Sequence, residues 1–206
     1  MIVLVGLNHK TAPLSVRERL FAGCEQKANL LGELSAIDGV VEILHLSTCN
    51  RVELVAAVED TPQILEAIKS FLAHSGNLTA QEAAACLYGY QNEEAIRHLF
   101  RVASSLDSLV MGEAQILGQV KEAFRRAMAE NYTGIALNRL MHRAFRTAKR
   151  VRTETGIAAN PVSVSFAAVE LAKKIFGTLA AKKVLVIGAG EMAELTVTHL
   201  IGNGAE

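Results

Sequence analysis

The amino-acid sequence predicts an α/β fold of the α+β type, because strand-like and helix-like segments alternate in its first 90 residues. Short runs rich in Val, Ile and Leu are typical of strands, and helix-start signals lie between them. Their order, β-α-β-β-α-β, is the ferredoxin-like or split-βαβ arrangement. Beyond these residues the periodicity becomes helical. We therefore expect a ferredoxin-like part at 1–90, a helical part at 91–155 and the start of a second α/β unit at 156–206.

The elements of the first part are predicted from apolar runs and from helix-start signals. Ser15 and Glu18, like Thr79 and Glu82, have the spacing of a capping box, and Thr61-Pro62 is an N-cap followed by proline. In chain order we expect a strand at 2–8, helices at 15–21 and 25–36, strands at 40–46 and 52–58, helices at 61–74 and from 79, and a strand at 87–90.

The rest of the chain is predicted to be mainly helical. We expect helices near 92–105, 113–130 and 134–153, a linker at Gly156–Pro161, a helix at Ser163–Phe176 and a buried strand at Lys183–Ile187.

The composition is that of an ordinary globular protein. Half of the 206 residues are apolar, 20% are charged, and the formal net charge is zero. No apolar stretch is long enough to cross a membrane, and the N-terminus lacks the features of a signal peptide. Three cysteines without zinc spacing favour reduced thiols. We therefore expect a cytoplasmic protein with no membrane partner and no metal site.

The polar segment Ser47-Thr48-Cys49-Asn50-Arg51 lies between two predicted strands. A fixed positive charge on Arg51 would favour the thiolate of Cys49, which is the nucleophilic form of cysteine. The planar guanidinium also fits a substrate carboxylate. The alternative is a buried structural cysteine in a polar turn. The segment is thus a candidate site for covalent catalysis.

A second motif follows the predicted strand at Lys183–Ile187. Gly188-Ala189-Gly190-Glu191-Met192-Ala193 is a G-x-G-x-x-A sequence that opens a helical pattern. Its glycines allow a tight turn and close approach of a pyrophosphate, while the helix N-terminus offers N–H donors. A plain strand-to-helix turn is the alternative. The motif predicts a Rossmann-type unit that is incomplete at Glu206.

The helical part contains polar side chains that suit a small-ligand site. His98 lies among apolar neighbours, which is typical of a partly buried histidine, but its chemistry also suits proton transfer. Ser108, Glu113 and Gln115 could bind a polar ligand, and Gln119 shares a helix face with Gln115. Helix capping by Asp107, Ser108 and Glu113 is the alternative.

One helix face carries Arg139, Arg143, Arg146 and Arg150 at spacings of four, three and four, with no acidic residue between Asn131 and Thr153. Such a face could contact a phosphate backbone. A solvated basic surface is the more usual interpretation.

Several segments together resemble one family, glutamyl-tRNA reductase, in its N-terminal part. They are Gly6–Glu18, Ser47–Glu53, Gly112–Lys121, Ser163–Leu171 and the glycine motif. Ala114 stands where many relatives carry proline. Because the matches cover the whole chain in order, the resemblance implies a catalytic domain at 1–155 and the beginning of an NADP-binding Rossmann domain at 156–206.

The resemblance implies NADPH-dependent reduction of glutamyl-tRNA(Glu) to glutamate-1-semialdehyde, the first step of tetrapyrrole biosynthesis by the C5 route. Cys49 would attack the ester and form a thioester, and His98 matches a histidine that the family needs for activity. The glutamyl group would be bound by Thr48, Cys49, Asn50, Arg51, Ser108, Glu113, Ala114, Gln115 and Gln119. The cofactor would be bound by Gly188, Ala189, Gly190, Glu191, Met192 and Ala193.

The same resemblance implies a homodimer for the full-length protein and allows hand-off of the semialdehyde to the aminomutase that uses it. The chain itself is expected to perform only the acyl-transfer half of the reaction. Two alternatives stay open from the sequence: another nicotinamide-dependent dehydrogenase, and a non-catalytic tRNA-binding module.

Overall fold

The computed structural model describes residues 1–59, 63–109, 111–113, 115–158 and 164–206. This part of the chain has a mixed α/β fold with one four-stranded sheet. In chain order its elements are β1 (Ile2–Asn8), α1 (Leu14–Glu25), α2 (Leu30–Ser35), β2 (Val40–Thr48), β3 (Arg51–Val58), α3 (Ile64–Ser75), α4 (Ala80–Cys86), β4 (Tyr88–Gln91), α5 (Asn92–Ala103), α6 (Gln115–Ala129), α7 (Ile135–Glu154), a 3-10 turn (Gly156–Ala158), α8 (Val164–Phe176) and α9 (Glu191–Gly202).

The strands lie in the order β2-β3-β1-β4, and each neighbouring pair is antiparallel. All eight residues of β3 are buried, so helices cover both faces of the sheet at its centre. Helices α1 and α3 contact each other and the strands β1 and β3, while α5, α6 and α7 form a second group against β1, β2 and β3. One large apolar core, from Val3 to Ala148, joins these layers.

The missing side chain of Gly6 shapes the middle of the sheet. In the register, Gly6 lies opposite Glu53 of β3 and Tyr88 of β4. A Cβ atom on Gly6 would lie 2.8 Å from the Glu53 Cα and 2.9 Å from its Cγ. Glycine therefore leaves the space through which the Glu53 side chain crosses β1 and reaches Tyr88.

The capping box at Thr79 is confirmed. Its hydroxyl accepts the Glu82 N–H at 3.2 Å, and the Glu82 carboxylate accepts the Thr79 N–H at 2.9 Å. The box predicted at Ser15 is wrong, since α1 begins one residue earlier, directly after the extended residue Pro13, without a side-chain cap. The cap predicted at Thr61-Pro62 lies outside the described residues.

Helix α1 is longer than predicted, and α2 is correspondingly shorter. The former continues to Glu25, so the second helix begins only at Leu30, where the Asn29 side chain accepts the N–H of Gly32 at 3.1 Å. Local capping by Asn29 therefore fixes this boundary.

A buried carboxylate ties α7 to the sheet. Glu42 of β2 accepts the N–H of Ala136 at 3.0 Å and that of Leu137 at 2.7 Å. These donors belong to the first turn of α7, which has no side-chain cap of its own. A negative charge here also interacts favourably with the helix dipole.

The segment after residue 163 has its own small cluster of buried residues, Val169, Leu179 and Leu200. The strand predicted at Lys183–Ile187 is wrong: no strand forms there, and Leu185 and Ile187 are 85% and 90% exposed. A parallel strand needs hydrogen-bonded neighbours, and no described strand pairs with this segment. Within the described ranges, no helix is long and apolar enough to cross a membrane.

Candidate active site

Cys49 is an exposed thiol at the tight turn between β2 and β3. The other two cysteines, Cys24 and Cys86, are both buried. Burial raises the pKa of the Cys24 thiol to about 12 and also raises the pKa of Cys86, so both favour the unreactive thiol form. The interpretation of Cys49 as a buried structural residue is therefore wrong, and the cysteine open to a substrate is the one that the sequence singled out.

The turn is shaped by the Thr48 hydroxyl. This oxygen accepts the N–H groups of Asn50 and Arg51, both at 3.2 Å, and the residue is only 8% exposed. The Asn50 carbonyl in turn accepts the N–H of His9 at 2.9 Å. Thr48 and Asn50 thus hold the backbone on both sides of Cys49, while their contacts with a substrate stay predictions.

The cation in direct contact with this turn is Arg17 of α1. Its Nη1 donates to the Cys49 carbonyl oxygen at 2.6 Å and to the Asn50 Oδ1 at 3.3 Å. Its Nε is buried without a partner in the described part of the chain. Sequence reasoning gave Arg17 no role, because 32 positions separate it from Cys49 and only the fold brings the two together.

Arg51 takes a different position from the one the sequence suggested. Its side chain is 1% exposed, with Nη1 2.6 Å from the Glu53 Oε1. Its Nη2 donates to the Asp107 carbonyl oxygen and lies 3.6 Å from the Asp107 Oδ2. The guanidinium fork that was expected to face a substrate is filled by internal partners, so Arg51 joins β3 to the segment after α5. A direct contact with substrate stays a prediction.

Glu53 is the centre of this buried network. Its Oε1 accepts from Arg51 and from the Tyr88 hydroxyl, and it lies 2.8 Å from the Nε2 of His98. Burial alone would raise the pKa of this carboxyl, but Arg51 and the hydrogen bond with His98 hold it below its ordinary value. Glu53 is therefore a carboxylate at neutral pH that fixes both Arg51 and His98.

His98 lies on α5, where its ring is held from three sides. The Tyr88 and Tyr90 rings are centred 5.4 Å and 5.0 Å from it, and Glu53 binds its Nε2. These contacts agree with the interpretation of His98 as a partly buried histidine. The contact with the Glu53 carboxylate also fixes one tautomer of the imidazole. Because Nε2 donates to Glu53, Nδ1 is left to accept a proton.

Asp107 forms a second buried pair beside the turn. The sequence predicts it as a possible helix cap, but among the described residues it caps no helix and instead contacts Lys10 and Arg51. Burial opposes ionisation, yet the hydrogen bond from Lys10 and the charge of Arg51 lower the pKa of Asp107. Nearby, burial and then Arg51 lower the pKa of His9, which favours a neutral imidazole. The signal that could have found this group is the polar Asn8-His9-Lys10 run at the end of β1.

The other side chains that were predicted to bind the glutamyl group follow Asp107 along the chain. The Ser108 hydroxyl is buried without a partner among the described residues, and burial raises the pKa of Glu113. Gln115 begins α6 and Gln119 is exposed one turn later, while Ala114 lies outside the described residues. Because the Ser108 hydroxyl has no hydrogen-bond partner among the described residues, it is available to form a hydrogen bond with a polar group of a ligand.

The glycine motif forms a turn into α9. Gly188 has a φ of 123°, which L side chains rarely adopt, and Gly190 is the residue before the helix. The Ala193 N–H donates to the Gly190 carbonyl oxygen at 2.8 Å. The motif's remaining members are Ala189, Glu191 and Met192. Although the preceding strand does not form, a glycine turn that leads into a helix N-terminus fits a phosphate group.

No cluster of three or more His, Cys, Asp or Glu with metal-binding geometry occurs among residues 1–59, 63–109, 111–113, 115–158 and 164–206. The site contains an exposed thiol with buried ion pairs beside it.

Sequence comparison places two family models on the chain. Residues 5–155 match the model described as glutamyl-tRNA(Glu) reductase, N-terminal domain, and residues 170–206 match the model described as shikimate/quinate 5-dehydrogenase. The first match contains every residue of the thiol site. The second contains the glycine motif.

Individual proteins agree with these matches. Glutamyl-tRNA reductases from Syntrophus aciditrophicus and Desulfatibacillum aliphaticivorans are 57% and 56% identical over 205 residues, which cover 98% and 99% of this chain and 48% and 47% of those proteins. The solved structure of glutamyl-tRNA reductase from Methanopyrus kandleri has a TM-score of 0.70 and 34% identity, covering 100% of this chain and 47% of that one. The chain thus spans about half the length of the relatives it matches.

Proposed function

Because the chain belongs to the glutamyl-tRNA reductase family, we propose that it takes part in the NADPH-dependent reduction of glutamyl-tRNA(Glu) to glutamate-1-semialdehyde, the first step of tetrapyrrole biosynthesis by the C5 route. The observation that carries this proposal is the exposed Cys49 thiol, held in a turn whose neighbours are fixed by Thr48, His9 and Arg17. The acyl-transfer half of the reaction is the part that these residues support.

In this step the Cys49 sulfur attacks the ester carbonyl carbon of the charged tRNA. A C–S bond forms, the C–O bond to the terminal ribose breaks, and the freed ribose oxygen takes a proton. Splitting one difficult transfer into two easier ones is the usual advantage of a cysteine nucleophile. The tRNA leaves, and the glutamyl group stays on Cys49 as a thioester.

His98 is the group that we assign to proton transfer. Its Nε2 is fixed by the Glu53 carboxylate at 2.8 Å, which leaves Nδ1 as the nitrogen that would exchange protons with the reacting groups. The fixed carboxylate also stabilises the charged imidazolium that forms between the two transfers. Glu53 acts in this scheme as a positioning residue.

The glutamyl group would be held beside the turn. Ser108 offers an unpartnered hydroxyl, and Glu113, Gln115 and Gln119 offer side chains at the start of α6. Arg51 would contribute through its position behind Cys49, where it balances the charges of Glu53 and Asp107.

The second half of the reaction needs a reduced nicotinamide, and NADPH supplies its hydride when bound. The turn at Gly188–Gly190 and the N-terminus of α9 offer backbone N–H groups to a phosphate, which supports this cofactor. The match of residues 170–206 to a dehydrogenase family supports the same assignment. We assign residues 1–155 to the catalytic domain and 156–206 to the start of the NADP-binding domain.

The sheet order β2-β3-β1-β4, with antiparallel neighbours and helical crossovers, supports a ferredoxin-like class for residues 1–90. We further assign the protein to the cytoplasm. Its substrate partner is glutamyl-tRNA(Glu). We also propose that the full-length protein is a homodimer and that it hands the semialdehyde to an aminomutase.

The experiment that tests this function is deacylation of tRNA(Glu) charged with labelled glutamate. The chain should release the glutamate from the tRNA faster than buffer alone, and Cys49→Ser should lose that release, because a serine hydroxyl loses its proton far less readily than a thiol and is a much weaker nucleophile at neutral pH. Cys86→Ser is the matched control and should behave like the unchanged chain. Release by Cys49→Ser at the unchanged rate would refute the proposal.

A further inference from the structure

A basic groove lies between α6 and α7, outside the thiol site. It is lined by Leu117, Lys121, Phe145, Arg146, Lys149, Arg152 and Thr153, and its volume is about 560 Å³. Lys121 lies over the Phe145 ring, with Nζ 5.9 Å from the ring centroid. Four cationic side chains therefore line an open groove together with the apolar side chains of Leu117 and Phe145.

Some exposed cations of the chain lie within 4 Å of an acid, among them Arg19, Arg97, Arg125 and Arg150. Others, such as Arg139 and Arg143 of the same helix α7, form no such pair in the described part of the chain. No acidic partner within 4 Å is found in the described part of the chain for the four groove cations. Since the formal net charge of the chain is zero, these unpaired charges form a local excess.

Helix α7, which carries most of the groove, is connected by contacts to the segment behind the Cys49 turn. Thr153 lies at the end of α7, and the following turn brings the Ile157 carbonyl oxygen against Gly112, where an added Cβ would lie only 2.4 Å away. Gly112 donates its N–H to Ser105 at 3.0 Å, and two residues later Asp107 holds Arg51 behind the Cys49 turn. The helix of the groove and the segment behind the Cys49 turn thus belong to one network of contacts.

We propose that the basic groove binds the sugar-phosphate backbone of the tRNA whose charged end is presented to Cys49. This assignment rests on the proposed function, which supplies the reason for an RNA ligand. A phosphate backbone matches the groove in charge, because regularly spaced cations without internal partners can each neutralise one phosphate and release counterions. The groove thus contributes affinity that does not depend on base sequence.

The test compares two double variants that change the net charge equally. Arg146→Gln with Lys149→Gln removes two groove cations, and Arg97→Gln with Arg125→Gln removes two exposed cations that have acidic partners. The probe is uncharged tRNA(Glu), and its dissociation constant is measured by fluorescence anisotropy over a series of salt concentrations. The groove variant should bind roughly tenfold or more weakly, and the slope of log K against log salt should fall by about 1 to 2. The dissociation constant of the control variant should stay within about twofold of that of the unchanged chain.

A second measurement separates this proposal from the proposed function. Acylation of Cys49 by an activated glutamate ester that contains no RNA should be the same in both double variants. Equal tRNA affinity in the two variants, or no tRNA affinity of the unchanged chain at low salt, would overturn the groove assignment. Competition by poly-glutamate as strong as that by tRNA would also overturn it. Loss of Cys49 acylation by the RNA-free ester in the unchanged chain would instead refute the thiol chemistry.

Discussion

Three charged side chains surround the Cys49 turn, and each has a different task. Arg17 contacts the turn backbone, Arg51 lies buried behind it, and Glu53 connects Arg51 to His98. The sequence placed Cys49 and Arg51 at the turn correctly, since they lie only two positions apart along the chain. It could not identify Arg17, Asp107 or Lys10, because their contacts span 32 to 97 positions and depend on the packing of α1 and of the segment after α5.

Arg17→Gln should slow the transfer of the glutamyl group to Cys49. Loss of a charged hydrogen bond costs about 1.5–3 kcal/mol, which corresponds to roughly a 10- to 100-fold lower rate of tRNA deacylation. Arg19→Gln is a suitable control, because Arg19 pairs with Glu82 and does not contact the turn. An unchanged deacylation rate in the Arg17 variant, from a folded protein, would show that its contact with Cys49 has no catalytic consequence.

Glu53→Gln should destabilise the fold in a pH-dependent way. The folded-state pKa of Glu53 is lowered, so its carboxylate contributes stability above the unfolded value of about 4.3, and this contribution is lost as pH falls through the folded pKa. Breaking a buried ion pair typically costs about 3–5 kcal/mol. The gap in unfolding free energy between the two proteins should therefore be large at pH 7 and shrink below about pH 4.3.

Urea unfolding at several pH values measures this gap, with Glu66→Gln as the control because Glu66 is exposed and forms a surface ion pair with Lys69. A gap that stays constant between pH 7 and pH 3 would mean that Glu53 is not ionised in the folded protein.

At the scale of elements, the sheet positions the residues of the thiol site, and side chains of its strands contact the helices at a few points. Gly6 leaves room for the Glu53 side chain, and Glu42 binds the first turn of α7. The strands β1 to β4 were predicted nearly at their observed bounds, because β-branched runs and turn residues are local signals. The start of α1 was not, since extended Pro13 and not Ser15 precedes the helix.

Glu42→Ala should loosen α7. The variant leaves the N–H groups of Ala136 and Leu137 without their carboxylate acceptor, and loss of a helix-capping side chain costs about 0.5–2 kcal/mol. The loss should appear as a lower urea midpoint with an unchanged slope. Glu154→Ala, at the exposed far end of the same helix, should change the midpoint much less. Equal effects of the two substitutions would contradict a capping role for Glu42.

At the scale of the whole molecule, the two groups of buried residues are of very different size. The large core extends from Val3 to Ala148, whereas the segment after residue 163 buries only Val169, Leu179 and Leu200. The apolar run at Lys183–Ile187 predicted a strand from its composition alone. The sequence could not show that this run lacks a neighbouring strand in the described structure.

A chain that ends at residue 158 should therefore fold with almost unchanged stability. All residues of the large core and the 3-10 turn that contacts Gly112 are kept. Calorimetry should give a cooperative transition within a few degrees of that of the 206-residue chain. A shorter chain that melts without cooperativity would show that residues 159–206 are part of the same folding unit.

The central claim is that Cys49 accepts the glutamyl group, and the most direct test is the mass of the protein after brief incubation with glutamyl-tRNA(Glu) and rapid acid quenching. The account predicts a mass increase of one glutamyl group, located by peptide mapping on the peptide that contains Cys49 and absent in Cys49→Ser. The buried cysteines Cys24 and Cys86 should carry none of it. A glutamyl adduct on either of these residues, or deacylation of the tRNA without any adduct under conditions that preserve thioesters, would contradict the account.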